Sequence, residues 1–246
     1  MPAVQHSPAG RFLDGLGATL PRPKAIVVAS AHFIGEHPGV GAAALPATVH
    51  DFGGFPAHLY DIAYPAPGEP ELAEAIARRL GDAGLHAELH PHHGIDHRVW
   101  VPLRRMYPHA DIPVVPISVN PTADAAHHFR VGHALATLRD EGVLVIGSGG
   151  FVHNLGELDW GQPDAPMPAW ASEFTAWMCD RLARNDVDAL LDWERQAPNP
   201  RRAHPTVEHL MPLFVALGAG GEAPGVRTLH RSHEFGSLAL DAFAFD

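Results

Sequence analysis

Nineteen histidines form the chemical resource of this chain, outnumbering its 17 lysines and arginines. Four of them stand where secondary structure should end. His32 closes the apolar run that starts at Ala25, and His153 follows the run Val143–Ile146 and a glycine turn. His209 falls in the first turn of an expected helix, and His97 lies on a loop that opens another. Imidazole ligates Zn, Fe and similar ions and moves protons near neutral pH. A lone histidine at a strand end can equally cap its strand. Several of them, distant in sequence and all at element ends, are what a metal site on one face of an α/β sheet requires. No compact ligand motif such as H-E-x-x-H accompanies them.

Other candidates are weaker. Adjacent His50 and Asp51 could act as a base and its orienter, although neighbouring side chains on an extended loop usually diverge. Gly147-Ser148-Gly149-Gly150 lacks both the G-x-G-x-x-G fingerprint and a Walker lysine, so nucleotide binding is discounted. Ser148 does not sit in the G-x-S-x-G elbow of hydrolases. Arg201 and Arg202 read as a solvated basic turn or as a partner for a substrate carboxylate. Cys179, the sole cysteine, falls in a Trp-rich helical segment and reads as a packed thiol.

These side chains need a scaffold. Ala25–Phe33, Ile112–Val119 and Val143–Gly150 are apolar runs typical of buried strands in a mainly parallel sheet. Leu85–Leu89 and Phe235–Phe243 alternate like strands. Helical spacing covers a short segment capped by Ser7, then Glu69–Gly84, Val101–Met106, Ala123–Glu141, Pro168–Asn185, Asp186–Gln196 and Thr206–Leu217. The expected fold is α/β: a mixed, mainly parallel central sheet flanked by helices, in a single domain spanning 1–246. No repeat or linker interrupts it.

Composition narrows the partners. With a net charge of -11, the chain lacks the basic face that nucleic acid or an anionic membrane requires. No apolar run approaches the roughly 20 residues needed to cross a bilayer. One cysteine and no secretory layout at the N-terminus fit a cytoplasmic location.

Six motifs then occur in order: Ser30-Ala31-His32-Phe33; His50-Asp51-Phe52-Gly53-Gly54-Phe55-Pro56; Tyr64-Pro65-Ala66-Pro67-Gly68; Asp96-His97-Arg98-Val99-Trp100-Val101-Pro102-Leu103; Gly147-Ser148-Gly149 with Val152-His153-Asn154-Leu155; and Glu208-His209-Leu210-Met211-Pro212-Leu213. Together they resemble the class III extradiol ring-cleaving dioxygenases, in the branch of the 4,5-DOPA dioxygenase extradiol proteins. The resemblance runs from about Ser7 to the C-terminus.

It implies one mononuclear site for Fe(II), or Zn(II) in some members, with His32 and His209 matching two metal ligands. His153 matches the acid/base histidine and His97 a further histidine near substrate. His50 and Asp51 are carried as substrate-side residues. The implied reaction cleaves a catechol-type ring beside its diol, inserting both atoms of O₂. A zinc-dependent hydrolase on the same fold and a non-catalytic small-molecule binder are the alternatives, and the oligomeric state is left open.

Departures from the pattern carry expectations too. The family's opening strand ends in His-Gly-Ser-Pro, whose His is the third ligand, and this chain has no such motif. Met1–Gln5 resembles the stretch directly after it, which fits a start site set too far downstream and a chain lacking the first strand. On 1–246 alone, weak metal binding and little activity are expected, with His6 a poor substitute ligand. Phe33 replaces a usual Trp. Arg98 replaces a usual Gly, narrowing the pocket, and Gly150 replaces a usual Asn, removing a hydrogen bond near His153.

Overall fold

The computed structural model describes residues 7–246; the expectations for His6 and for a missing first strand lie outside those residues. Ser7 caps α1 (Pro8–Thr19), its side chain accepting from the Gly10 N–H. The run at Ala25 becomes β1 (Ala25–Ile34), in which Ile26, Val27, Val28 and Ala29 are wholly buried. Then follow β2 (Gly39–Gly41), α2 (Pro70–Asp82), β3 (Glu88–His90), α3 (His97–Met106), β4 (Val114–Val119), α4 (Ala125–Ala134) and β5 (Val143–Ser148). The second half is helical, with α5 (Ala169–Ala183), α6 (Val187–Leu191), α7 (Trp193–Gln196), α8 (Pro200–Ala203) and α9 (Met211–Ala219). Short strands β6 (Val226–His230), β7 (His233–Glu234), β8 (Leu238–Ala239) and β9 (Ala242–Phe245) close the chain.

The central sheet has the order β3-β2-β4-β1-β5. β1 pairs in parallel with both β4 and β5, and β2 meets β4 antiparallel through Val40 and Ile117. The sheet is therefore mixed and mainly parallel, as expected. Alternation along β1 feeds two cores. Val27 and Ala29 pack with Ile76 and Leu80 of α2 and Val215 of α9. Ile26 and Val28 pack on the other face with Tyr64, Val99 and Trp100. Burying each such side chain fully contributes about 1.5–3 kcal/mol, which is why a two-faced apolar strand fixes the centre of the fold. A third core joins α5 to α9 around Phe174, Trp193 and Phe214.

Several boundaries differ from the sequence reading, each for a local reason. Leu85 is no strand residue: its N–H bonds the Leu80 carbonyl beyond the α2 terminus, and pairing begins at Glu88. The helix expected over Ala123–Glu141 stops at Ala134 and tightens into a 3₁₀ turn over Ala136–Glu141, whose three-residue period keeps both Leu135 and Leu138 buried. The strand expected over Phe235–Phe243 does not form as one: Phe235 and Gly236 take positive φ, 51° and 81°, in the tight turn that joins β7 to β8, and β9 is a separate strand paired with β6. β6, the partner of β9, carried no clear alternation.

His128 shows how burial sets a histidine's state here. Its Nδ1–H donates to the Asp124 carbonyl at 2.8 Å and its Nε2 accepts from the Asn120 N–H at 3.0 Å. Burial pushes its pKa down to about 4. The unfolded chain binds this proton near pH 6.5, so the stability from the neutral ring is present above that pH and lost as pH falls toward 4. The full loss is roughly 3 kcal/mol by linkage. Urea unfolding between pH 7.5 and 4.5 should show this decline, and His128→Gln, which cannot titrate, should flatten part of it.

Candidate active site

Five elements deliver the site. His32 lies near the end of β1, two residues before its last residue. Ser30, two residues earlier, donates its hydroxyl to Asp96 Oδ1 at 2.8 Å, and the same oxygen caps α3 by accepting the Arg98 N–H. That tie brings the helix start, with His97, against the strand. The helix begins at His97 rather than at Val101 because Asp96 supplies this cap. His153 follows β5 on a loop whose N–H bonds the Ala203 carbonyl.

His209 does not sit in the first turn of a helix. Its carbonyl accepts the Gly150 N–H at 2.8 Å, and Leu213 N–H turns to Leu210 instead, so α9 starts only at Met211. The glycine turn serves this docking rather than a phosphate: a Cβ added at Gly149 would run into the His209 carbonyl oxygen.

The four histidines converge. Rings of His32 and His97 meet edge to face at 4.3 Å, and His32 and His209 at 5.2 Å. His153 stacks flat on His209 at 3.4 Å. Asp51 sits between two of them: Oδ2 takes His32 Nδ1 at 2.6 Å, and Oδ1 takes His97 Nδ1 at 2.8 Å and the His97 backbone N–H at 3.0 Å. Partial burial would raise its pKa, but these bonds from His32 and His97 outweigh it and hold the carboxylate well below its usual range. His32, Asp51 and His97 place ligand-type atoms within 4.8 Å of one another. On the other side, Glu208 Oε1 takes His209 Nδ1 at 2.9 Å, which lowers the Glu208 pKa to about 2.

These partners assign the tautomers. With Nδ1–H of His32 given to Asp51 and Nδ1–H of His209 given to Glu208, both Nε2 atoms carry lone pairs. They face each other at 3.3 Å. Two lone pairs at that distance repel unless a cation lies between them. Two imidazole nitrogens on one tetrahedral ion, each about 2.0–2.1 Å from it, stand about 3.3 Å apart. Carboxylates behind both rings complete the pattern expected of metal-binding histidines. The donor set therefore fits a divalent metal.

His153 is neutral. Burial and then the neighbouring His209 and Arg98 push its pKa down to about 2. Its Nε2 lies 3.3 Å from Arg98 Nη2, so Arg98 donates and the ring accepts. Burial likewise lowers His209 to about 4, against the pull of Glu208. His32, Asp51, His97, Arg98, His153 and His209 all line one cleft of about 1460 Å³.

Residues 9–240 match the family described as the catalytic LigB subunit of aromatic ring-opening dioxygenase. The chain belongs to this family. It is 40% identical to the 4,5-DOPA dioxygenase extradiol of Beta vulgaris across its whole length and 92% of the relative. It is likewise 40% identical to the Escherichia coli K12 protein of that name, over 94% of this chain and 85% of the relative. The crystal structure of an uncharacterized E. coli K12 protein superposes with a TM-score of 0.79 at 36% identity, covering 95% of this chain and 90% of that one. The family match spans nearly all of the described fold.

Not every expected residue lies at the centre. His50 turns away from Asp51: its Nε2 donates to the Ile62 carbonyl at 2.9 Å and its ring packs near Phe52, Tyr60 and Trp100. Asp51 orients His32 and His97 rather than its sequence neighbour. Arg202 pairs with Glu157 at 2.8 Å and covers Trp170, outside the histidine cluster. Burial pushes the Cys179 thiol up to about 11, as for a packed side chain. Glu208 joins the site as the partner of His209, and its place directly before that histidine is the sequence signal for it. No helix among the described residues is long and apolar enough to cross a membrane.

The seat of His209 is open to test. Gly149→Ala should cost about 1–3 kcal/mol, as overpacking does, and displace the 206–210 turn. Urea unfolding and a metal titration of the same variant should report both effects. Unchanged stability would mean that the close approach is not needed.

Proposed function

We propose that this protein is an extradiol dioxygenase that opens a catechol-type ring with O₂, using one divalent metal held by His32 and His209. The observation that carries this reading is the facing pair of Nε2 atoms at 3.3 Å, each ring fixed from behind by a carboxylate. Fe(II) is the ion suited to the reaction, since bound metal would supply the Lewis acidity and redox chemistry that O₂ and a catechol need. Zn(II) would suit the same imidazoles but not the redox step.

The protein's own groups have distinct tasks. His153 is the group placed to accept a proton from a diol hydroxyl at Nε2, once substrate displaces the Arg98 N–H held there, and to return it during ring opening. His97 has Nδ1–H committed to Asp51, so Nε2 is its acceptor toward substrate. Asp51 fixes the rotation of His32 and His97 together, which sets the first ligand and the substrate-side ring in one step. Phe52 and Phe55 line the same cleft and offer apolar contact for an aromatic ring. His50 and Asp51 support the substrate side indirectly, through loop shape and ring orientation.

Oxygen uptake by the Fe(II)-loaded protein with a panel of catechols tests the reading. Slow uptake, as expected of a metal on two protein ligands, coupled to ring-opened product carrying both atoms of labelled O₂ is expected; none with any catechol at saturating Fe(II) overturns it. His153→Ala should lower kcat about 10²–10⁴-fold, the usual worth of a general acid/base, while metal binding is retained. Asp51→Asn should weaken metal affinity about 10–100-fold, as loss of a ligand's hydrogen-bond partner does, measured by metal titration.

A further inference from the structure

The loop that carries His153 is gripped by one neighbouring stretch, residues 202–209. Gly150 N–H donates to the His209 carbonyl at 2.8 Å, and His153 N–H to the Ala203 carbonyl at 3.0 Å. Asn154 Nδ2 donates to the Arg202 carbonyl at 2.7 Å. His204 Nε2 stands 3.2 Å from the Phe151 carbonyl oxygen. The contacts run antiparallel: 150 with 209, 151 with 204, 153 with 203 and 154 with 202. One stretch thus carries His209 at one end and holds the His153 loop along the rest of its length.

Of these four ties, His204 makes the one that comes from a side chain of the 202–209 stretch. It is an odd residue for its surroundings. It is only 2% exposed, and its ring lies 5.6 Å from Phe174 and 5.7 Å from Trp193 in the apolar core. A carbonyl can only accept, so Nε2 carries the proton and Nδ1 the lone pair. Nδ1 is shielded from solvent and has no hydrogen-bond partner among the described residues. Burial holds the ring neutral, with its pKa pushed down to about 4. A side chain that merely filled this space would be apolar, because a buried polar atom without a partner costs free energy. What the imidazole adds is the bond from Nε2 to Phe151.

That bond has a specific mechanical effect. The ties at Gly150 and His153 fix backbone N–H groups on either side of the Phe151–Val152 peptide, and His204 fixes the plane of the peptide between them. The next residue is His153, flat against His209 at 3.4 Å. Phe151, His153 and Asn154 line the cleft, and His204 holds them from the buried side. We propose that His204 is a positioning residue, whose Nε2–H on the Phe151 carbonyl sets where the His153 ring stands against His209 and the diol. This rests on the reading of His153 as the acid/base group of the dioxygenase.

The test uses the full chain at saturating Fe(II), as wild type, His204→Asn and His204→Gln. A glutamine amide nitrogen reaches the place of Nε2 and keeps the bond; an asparagine amide stops at the place of Nδ1 and loses it. Oxygen uptake with catechol gives kcat and KM. Anaerobic binding of 4-nitrocatechol, whose ionised form is read by its colour, reports proton removal without turnover. His204→Asn should lower kcat about 10–100-fold, the range in which a misplacement of 1 Å acts, with KM and metal affinity little changed. It should also form less of the nitrocatechol dianion. His204→Gln should restore both. If the asparagine variant does not fold, His204→Leu fills the core without a donor and takes its place.

Unchanged kcat and dianion yield in the asparagine variant would overturn the inference. So would losses of metal affinity, KM and urea midpoint together that glutamine does not restore, since those mark a core residue and nothing more. A wild type that forms the dianion but turns over no catechol defeats the dioxygenase reading, and the dianion yields of the variants still decide the role of His204.

Discussion

One carboxylate holds the site together. Asp51 receives Nδ1–H from His32 on β1 and from His97 at the start of α3, and a backbone N–H besides. Three separate segments meet there: the central strand, the helix docked on it and the loop from 50 to 56. A carboxylate accepts several charge-assisted bonds at once, each stronger than a neutral one. The bonds also set the ring rotations, because an imidazole tied at Nδ1 can present only Nε2 to the cleft. Ser30 and Asp96 repeat the idea one layer below, so the helix start is pinned both at the backbone and through its first side chain.

Neutrality follows from the same packing. Burial penalises the charged form of His97, His153 and His209, and the stacked pair His153 and His209 would repel if both were protonated. Glu208 supports His209 as Asp51 supports His32, and the two rings then direct lone pairs at one point. Burial and two carboxylates thus aim two lone pairs at one point, where a cation would relieve their repulsion. Arg98 adds a positive charge at the cleft wall, within hydrogen-bond distance of His153 and tied to the Gly149 carbonyl.

Much of this was legible in the sequence. β1, β4 and β5 are apolar runs with turn residues at both ends, and the order of motifs fixed which histidines to watch. Histidines 32, 97, 153 and 209 were read as one cluster from their places at element ends, and their rings do converge. Partners were harder. Asp51 lies beside His50 in sequence, yet an extended loop sends adjacent side chains apart, so its true partners are 19 and 46 residues away. Strands of two or three residues, such as β3 and β7, are shorter than any period can reveal. The start of α9 depended on where the His209 carbonyl goes, a long-range bond that no helical spacing encodes. In sequence Arg98 reads as bulk in a narrowed pocket; its bond to His153 emerges only from the fold.

The glycines of the β5 turn connect these points. Read alone, Gly147-Ser148-Gly149-Gly150 suggests a loop shaped for a ligand. In the fold it is shaped for backbone: Gly147 faces the Pro212 carbonyl and Gly149 the His209 carbonyl, closer than any Cβ allows. The strand end and the α9 entry can therefore lie almost in contact. That approach sets His209 opposite His32 and brings His153, four residues on, flat against it. It also leaves the Gly149 carbonyl facing the cleft wall, where Arg98 finds it. Any side chain at position 149 would push His209, the stacked His153 and the Arg98 guanidinium apart together. The cluster is thus set less by its polar residues than by the absence of side chains beside them.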